Sequence, residues 1–150
     1  MGEKLLFGTA GAPVSAKPLT TEGGIERVAE LGLGCMEVQF VRGVKMGESM
    51  ARMVGEVARK RGVKLTAHAP YFINLNAKEE GKVTASQERL MQTARIASLL
   101  GAEGIVFHAA VYFDSPPQAV YATVKSNLEQ TVRRLRAEGN QVLLRPETMG

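Results

Sequence analysis

The chain has 150 residues and a mass of 16.2 kDa. Hydrophobic residues make up 45% of it and charged residues 23%, which excludes a disordered tail and a collagen-like or low-complexity chain. The net charge of +4 permits a phosphate-bearing partner without requiring one.

This length predicts a single domain over 1–150, large enough for a real core. No run reaches the ~20 apolar residues of a membrane span. The longest candidate, from Gly104 to Phe113, contains His108. Leu5-Leu6-Phe7 is too short an apolar run for a signal peptide, so the expected location is the cytoplasm, with no membrane partner. The single cysteine, Cys35, is expected to sit reduced inside a buried strand.

In chain order, short apolar runs alternate with helical patterns. Lys4–Gly8 reads as the first strand, followed by a helix carrying Ile25, Val28 and Ala29 that stops at Gly32. Leu33–Phe40 reads as the second strand. A helix carrying Met50, Met53, Val54 and Val57 follows and ends at Gly62, with Met50 and Met53 facing the core and Met46 at its entry. Val63–His68 is the third strand. The third helix is expected to start near Thr84, with Gln87 completing a capping box, and to end at Gly101. Gly104–His108 is the fourth strand. Ser115 then caps a fourth helix, with Pro116 at its first position, Gln118 in a second capping box and Val120, Val124, Leu128, Val132 and Leu135 as its apolar stripe. This helix ends at Gly139, and a fifth strand begins at Gln141–Arg145. Arg133, Arg134 and Arg136 read as a solvated helix face.

Strand–helix alternation implies a parallel sheet with crossover helices. Periodicity alone leaves two closures open, a doubly wound sheet and the first part of a (β/α)8 barrel. In both folds, ligands gather at the carboxyl ends of the strands. The only two histidines, His68 and His108, close the third and fourth strands, and Glu147 follows the fifth. Three neighbouring strands ~4.8 Å apart can bring these side chains onto one ion. Two His and one Glu with an open position form a known catalytic zinc set. A lone histidine is more often a hydrogen-bonded core or loop residue, and it is the coincidence of all three that points to a metal. Glu37 reads as a buried ion-pair partner rather than a further ligand.

After the third strand, His68-Ala69-Pro70-Tyr71-Phe72-Ile73-Asn74-Leu75 offers an aromatic face at Tyr71 and a bidentate amide at Asn74. These suit an exposed nucleotide or sugar; an ordinary loop with Tyr71 packed down is the alternative. The loop after the second strand places Arg42 and Lys45 among glycines, where they reach a phosphate backbone or form a solvated connection. Gly8-Thr9-Ala10-Gly11 matches neither nucleotide-loop pattern. No Ser/His/Asp or Cys/His nucleophile set can be argued.

The His68–Leu75 segment resembles the signature of the endonuclease IV family. Phe7–Gly11, Glu37–Val44, Val106–His108 and Arg145–Gly150 resemble its archaeal-type members. The resemblance implies a (β/α)8 TIM barrel of the xylose-isomerase-like class, of which these 150 residues would form the amino-terminal part, about five strands and four helices. It implies hydrolysis of the phosphodiester 5′ to abasic sites in duplex DNA by up to three zinc ions. By matching position, His68, His108 and Glu147 would hold the first zinc, and Glu147, bridging to the second, would carry the catalytic role. Arg42, Lys45, Tyr71 and Asn74 would contact DNA. The family's His-Pro-Gly after the fourth strand is His108-Ala109-Ala110 here, which would alter that loop. The remaining zinc ligands would lie on later strands. Open parallel edges and an uncovered apolar interior would then favour self-association or a partner half, and no nuclease activity of the 150-residue chain alone. A metal-dependent sugar isomerase or epimerase of the same barrel class, and a non-catalytic half-barrel, are the competing readings.

Overall fold

A computed structural model describes residues 5–148. The chain runs β1 (Gly8–Ala10), α1 (Thr21–Glu30), β2 (Cys35–Gln39), α2 (Glu48–Arg61), β3 (Lys64–His68), α3 (Glu80–Leu100), β4 (Gly104–His108), α4 (Pro117–Ala137) and β5 (Leu143–Glu147). The strands form one sheet in sequence order, every pair parallel.

Residues paired across a parallel sheet share a face, so the register divides the strands cleanly. Met36 pairs with Leu65, Val38 with Ala67, and Ala67 with Ile105. With Phe107 these form the helix-facing layer, all of them buried against Ile25, Val28, Val54, Leu90, Met91 and Leu135. The opposite face carries Glu37, Gln39, Lys64, Thr66, His68, His108, Arg145 and Glu147. It is mostly polar, contrary to the expected apolar interior. The alternation places the charged residues of β2, β3 and β5 there. Among the described residues, β1 and β5 are unpaired on their outer edges, as expected.

Several element ends differ from the sequence reading. The first strand begins at Gly8, where the predicted one ended; Lys4 lies outside the described residues. Leu5, Leu6 and Phe7 form an exposed lead-in. Gly8 is where β1 comes closest to β2, since a Cβ there would lie 1.8 Å from the Cys35 carbonyl oxygen. Cys35 is half-buried at the first position of β2, not inside a buried strand. The third helix starts a turn before Thr84, at Glu80. Gln87 is buried two turns inside the helix, where no capping box can form, and it donates instead to the Asn127 carbonyl of α4 at 3.0 Å. Ser115 caps nothing: Pro116 occupies the N-cap and Pro117 the first helical position. Met50 and Met53 are exposed. The buried line of α2 is Ala51, Val54 and Ala58, while Met46 packs against the core. Small residues face inward there because α2 lies close to α3: a Cβ on Gly55 would stand 2.7 Å from the Leu100 carbonyl oxygen. On α4 only Val120 and Leu135 of the expected stripe are fully buried, with Thr131 between them. Arg134 is not simply solvated, since it pairs with Glu88 on α3. No helix of the described residues is long and apolar enough to cross a membrane.

Candidate metal centre

His68, His108 and Glu147 are the last residues of β3, β4 and β5. His108 pairs directly with Glu147 across the sheet. His68 pairs with Val106, two residues before His108 on the same face. The three side chains therefore rise from adjacent strands at the carboxyl end of the sheet. One donor atom from each lies within 4.8 Å of the others, the one such group of three among the described residues.

The finer geometry suits a cation. Glu147 Oε2 is 3.2 Å from His108 Nε2 and 3.5 Å from His68 Nε2. Two donors on one tetrahedral zinc, each about 2.0–2.1 Å from the ion, stand about 3.3–3.4 Å apart. On the far side of its ring, His68 Nδ1 donates to the Ala69 carbonyl at 2.8 Å. A carbonyl only accepts, so this bond fixes the tautomer and leaves the Nε2 lone pair facing Glu147. Exposure grades across the three side chains, from 11% for His68 to 27% for His108 and 50% for Glu147. A bound ion would thus have a buried rear ligand and an open front.

Tyr71 supports both imidazoles. Its ring lies parallel to His108 at 5.6 Å between centroids and edge-on to His68 at 5.7 Å. Its own amide donates to the Val41 carbonyl, tying its loop to the one after β2. Half of Tyr71 stays exposed, so it is neither a free stacking platform nor packed away. Asn74 is not the free bidentate amide expected from sequence. Its Oδ1 accepts from the Asn76 and Val111 amides at 3.0 and 3.4 Å, joining the loops after β3 and β4. Arg42 and Lys45 are exposed at the end of β2. Glu37 is half-buried and, among the described residues, has no ion-pair partner, which corrects its expected role. Strand alternation instead places it on the polar face, two residues before Gln39.

Gln39 was missed by sequence reasoning. It pairs in register with His68 and is exposed on the same face. The buried alternation of Met36 and Val38 was the signal that would have placed it there. Arg145 was missed as well. Its guanidinium lies across Gly104, where a Cβ would meet Nε at 2.9 Å.

Residues 25–150 match the family model described as xylose isomerase-like TIM barrel. The chain belongs to the xylose isomerase-like TIM barrel family. An uncharacterized protein of Methanocaldococcus jannaschii is 39% identical to it over 146 residues, covering 97% of this chain and 52% of the relative. Among solved structures, L-ribulose 3-epimerase superposes with a TM-score of 0.75 at 13% identity, over 97% of this chain and 50% of that one. Endonuclease IV from Thermus thermophilus superposes with a TM-score of 0.69 at 22% identity, over 95% and 52%. The chain spans about half the length of these family relatives. Its five strands and four helices are part of a TIM barrel, a fold that hosts enzymes of both kinds among its neighbours.

Proposed function

We propose that this xylose isomerase-like chain belongs to a zinc-dependent endonuclease that hydrolyses the phosphodiester 5′ to abasic sites in duplex DNA. The observation that carries the reading is the pairing of a ready donor set with a cationic, aromatic rim. His68, His108 and Glu147 converge at ligand spacing. Arg42, Lys45, Tyr71 and Phe72 are exposed on the loops beside them. A zinc ion held there would polarise a phosphoryl oxygen and make a bound water acidic enough to attack near neutral pH. The protein's own part is to hold the His68 imidazole in one tautomer, to keep Glu147 open to solvent, and to present cations where a phosphate backbone would lie. Glu147 would offer its remaining carboxylate oxygen to a second ion.

The test uses the protein expressed from its complete reading frame. With zinc it should nick a duplex containing a tetrahydrofuran abasic analogue, and a chelator should abolish the nicking. A zinc-loaded protein that leaves this duplex intact refutes the reading. The similarity of fold to L-ribulose 3-epimerase supports a second reading, metal-dependent epimerisation of a sugar. A ketose turned over by a zinc- or manganese-loaded protein that ignores DNA would establish it. The exposed cationic loop favours the first reading, because a neutral sugar gives Arg42 and Lys45 no partner.

A further inference from the structure

The loops after β3 and β4 are joined into one unit. Leu75 donates its amide to the Ala109 carbonyl at 2.9 Å, and Asn76 Nδ2 donates to the Val111 carbonyl at 2.8 Å. Asn74 Oδ1 accepts from the Val111 amide between them. This junction holds up a run of large side chains in water: Val111 is 48% exposed, Tyr112 58% and Phe113 51%, beside Phe72 at 67%. Phe113 has φ of 51°, a left-handed conformation unusual for a bulky residue. Lys78 Nζ stands 5.9 Å from its ring centroid. The fold therefore fixes aromatic side chains outside the core, on the loop after β4, in a run that begins three residues after His108.

We propose that Tyr112 and Phe113 form a preformed stacking platform for an unpaired nucleobase beside the candidate metal centre. This rests on the nucleic-acid reading of that centre and names a recognition element that the reading did not include. Aromatic side chains bind unstacked bases through their π-faces, and a platform already ordered loses little further entropy when a base lands on it. An abasic site leaves one base without a partner, and that unpaired base costs least to unstack in such a duplex. Charge selects nucleic acid over an apolar protein partner. Lys78 stands over the Phe113 ring, Arg42 and Lys45 are exposed on the β2 loop that the Tyr71 amide ties to the β3 loop, and among the described residues none of the three is paired to a carboxylate. Asp114 and Glu79 are the acids on the β3 and β4 loops, and Glu79 is held by Lys82.

The experiment uses two oligonucleotide probes carrying 2-aminopurine, whose fluorescence falls on stacking with an aromatic ring. Each flanks 2-aminopurine with tetrahydrofuran residues, so that the free probe is unstacked and bright; one is single-stranded, and the other is a duplex with the 2-aminopurine opposite a further tetrahydrofuran site. The variants are Tyr112→Ser and Phe113→Gly. Glycine adopts positive φ freely, so Phe113→Gly removes the ring without straining the loop. Binding of wild type should quench both probes. Each variant should lose most of the quenching and bind roughly five- to a hundredfold more weakly, the range for one lost base stack, with thermal unfolding unchanged or raised for Phe113→Gly. Quenching that survives in both variants, or its absence in wild type, overturns the proposal. So does a wild-type dimer that either variant converts to a monomer on a sizing column, since a second copy would then be the occupant. The outcome is separable from the hydrolysis reading: quenching without nicking leaves the platform standing and removes the endonuclease, while nicking without quenching does the reverse.

Discussion

Replacing Gly55 with alanine sets two effects of opposite sign against each other. Gly55 lies inside α2, where alanine improves helix propensity by about 0.8–1.0 kcal/mol. The new methyl carbon, however, would stand 2.7 Å from the Leu100 carbonyl oxygen and 2.9 Å from its carbon, where ordinary contact begins at 3.4 Å. These are backbone atoms at the end of α3, so no side chain can swing aside. The two helices must part by about 0.7 Å, and overpacking of this kind costs about 1–3 kcal/mol. The clash wins, and the net loss is about 0–2 kcal/mol, or up to ~8 °C in Tm at about 2–4 °C per kcal/mol for a domain of this size. Gly81 is the matched control. It sits in the first turn of α3 with nothing within 4 Å of an added methyl, so Gly81→Ala should be neutral or stabilising. Thermal unfolding followed by circular dichroism reads both variants. Zinc affinity should be unchanged in each, because Gly55 packs against the carboxyl end of α3 and the metal centre lies at the carboxyl ends of the strands. A Gly55→Ala protein more stable than Gly81→Ala would refute the close packing of α2 on α3.

Asn140 anchors the entry to β5, donating to the Ala94 carbonyl and accepting from the Val142 amide, both at 2.9 Å. Asn140→Ala orphans a buried amide and should cost about 1–3 kcal/mol in urea unfolding. It should also weaken zinc binding through Glu147 on the same strand. Arg95 donates from Nε and Nη2 to Glu138 at 2.8 and 2.6 Å, and this bond holds the Glu138 carboxyl below its ordinary range. A carboxyl depressed in the folded state stabilises above its unfolded pKa and loses that contribution as pH falls through the folded value. Glu138→Gln should therefore lower stability at neutral pH, change little below the folded value, and so flatten the acid limb of the stability curve. Removing the ring that flanks both imidazoles, as Tyr71→Ala, should weaken zinc binding by several-fold in calorimetry while leaving the stoichiometry at one.

The fourth strand, Gly104–His108, was legible to the residue, because an apolar run bounded by glycine and a terminal histidine leaves little freedom. The C-terminal glycines of α2 and α3 were equally plain: Gly62 and Gly101 both adopt the left-handed cap. The capping boxes failed because a Ser/Thr-x-x-Gln spacing records only local chemistry: α3 already begins at Glu80, which puts Thr84 and Gln87 inside the helix, and Pro116 takes the N-cap of α4. Met50 and Met53 were misplaced because hydrophobicity outweighed size in the reading. The α2–α3 contact admits Ala51 and Gly55, not a thioether. Leu5-Leu6-Phe7 shows the same limit, an apolar run that the fold leaves in water. The convergence of His68, His108 and Glu147 was visible as three strand ends. The tautomer set by Ala69, the flanking Tyr71 ring and the internal use of Asn74 were not, because each depends on where a loop returns. Gln39 and Arg145 needed the register, which only the paired strands supply.

Zinc K-edge absorption spectroscopy on the one-to-one complex tests the central claim most directly. Two imidazole nitrogens and a carboxylate oxygen are expected at about 2.0–2.2 Å, with the imidazole signal halved in His108→Ala and the complex lost in the His68→Ala/Glu147→Gln double variant. A spectrum without imidazole scattering, or one that these substitutions leave unchanged, would contradict it.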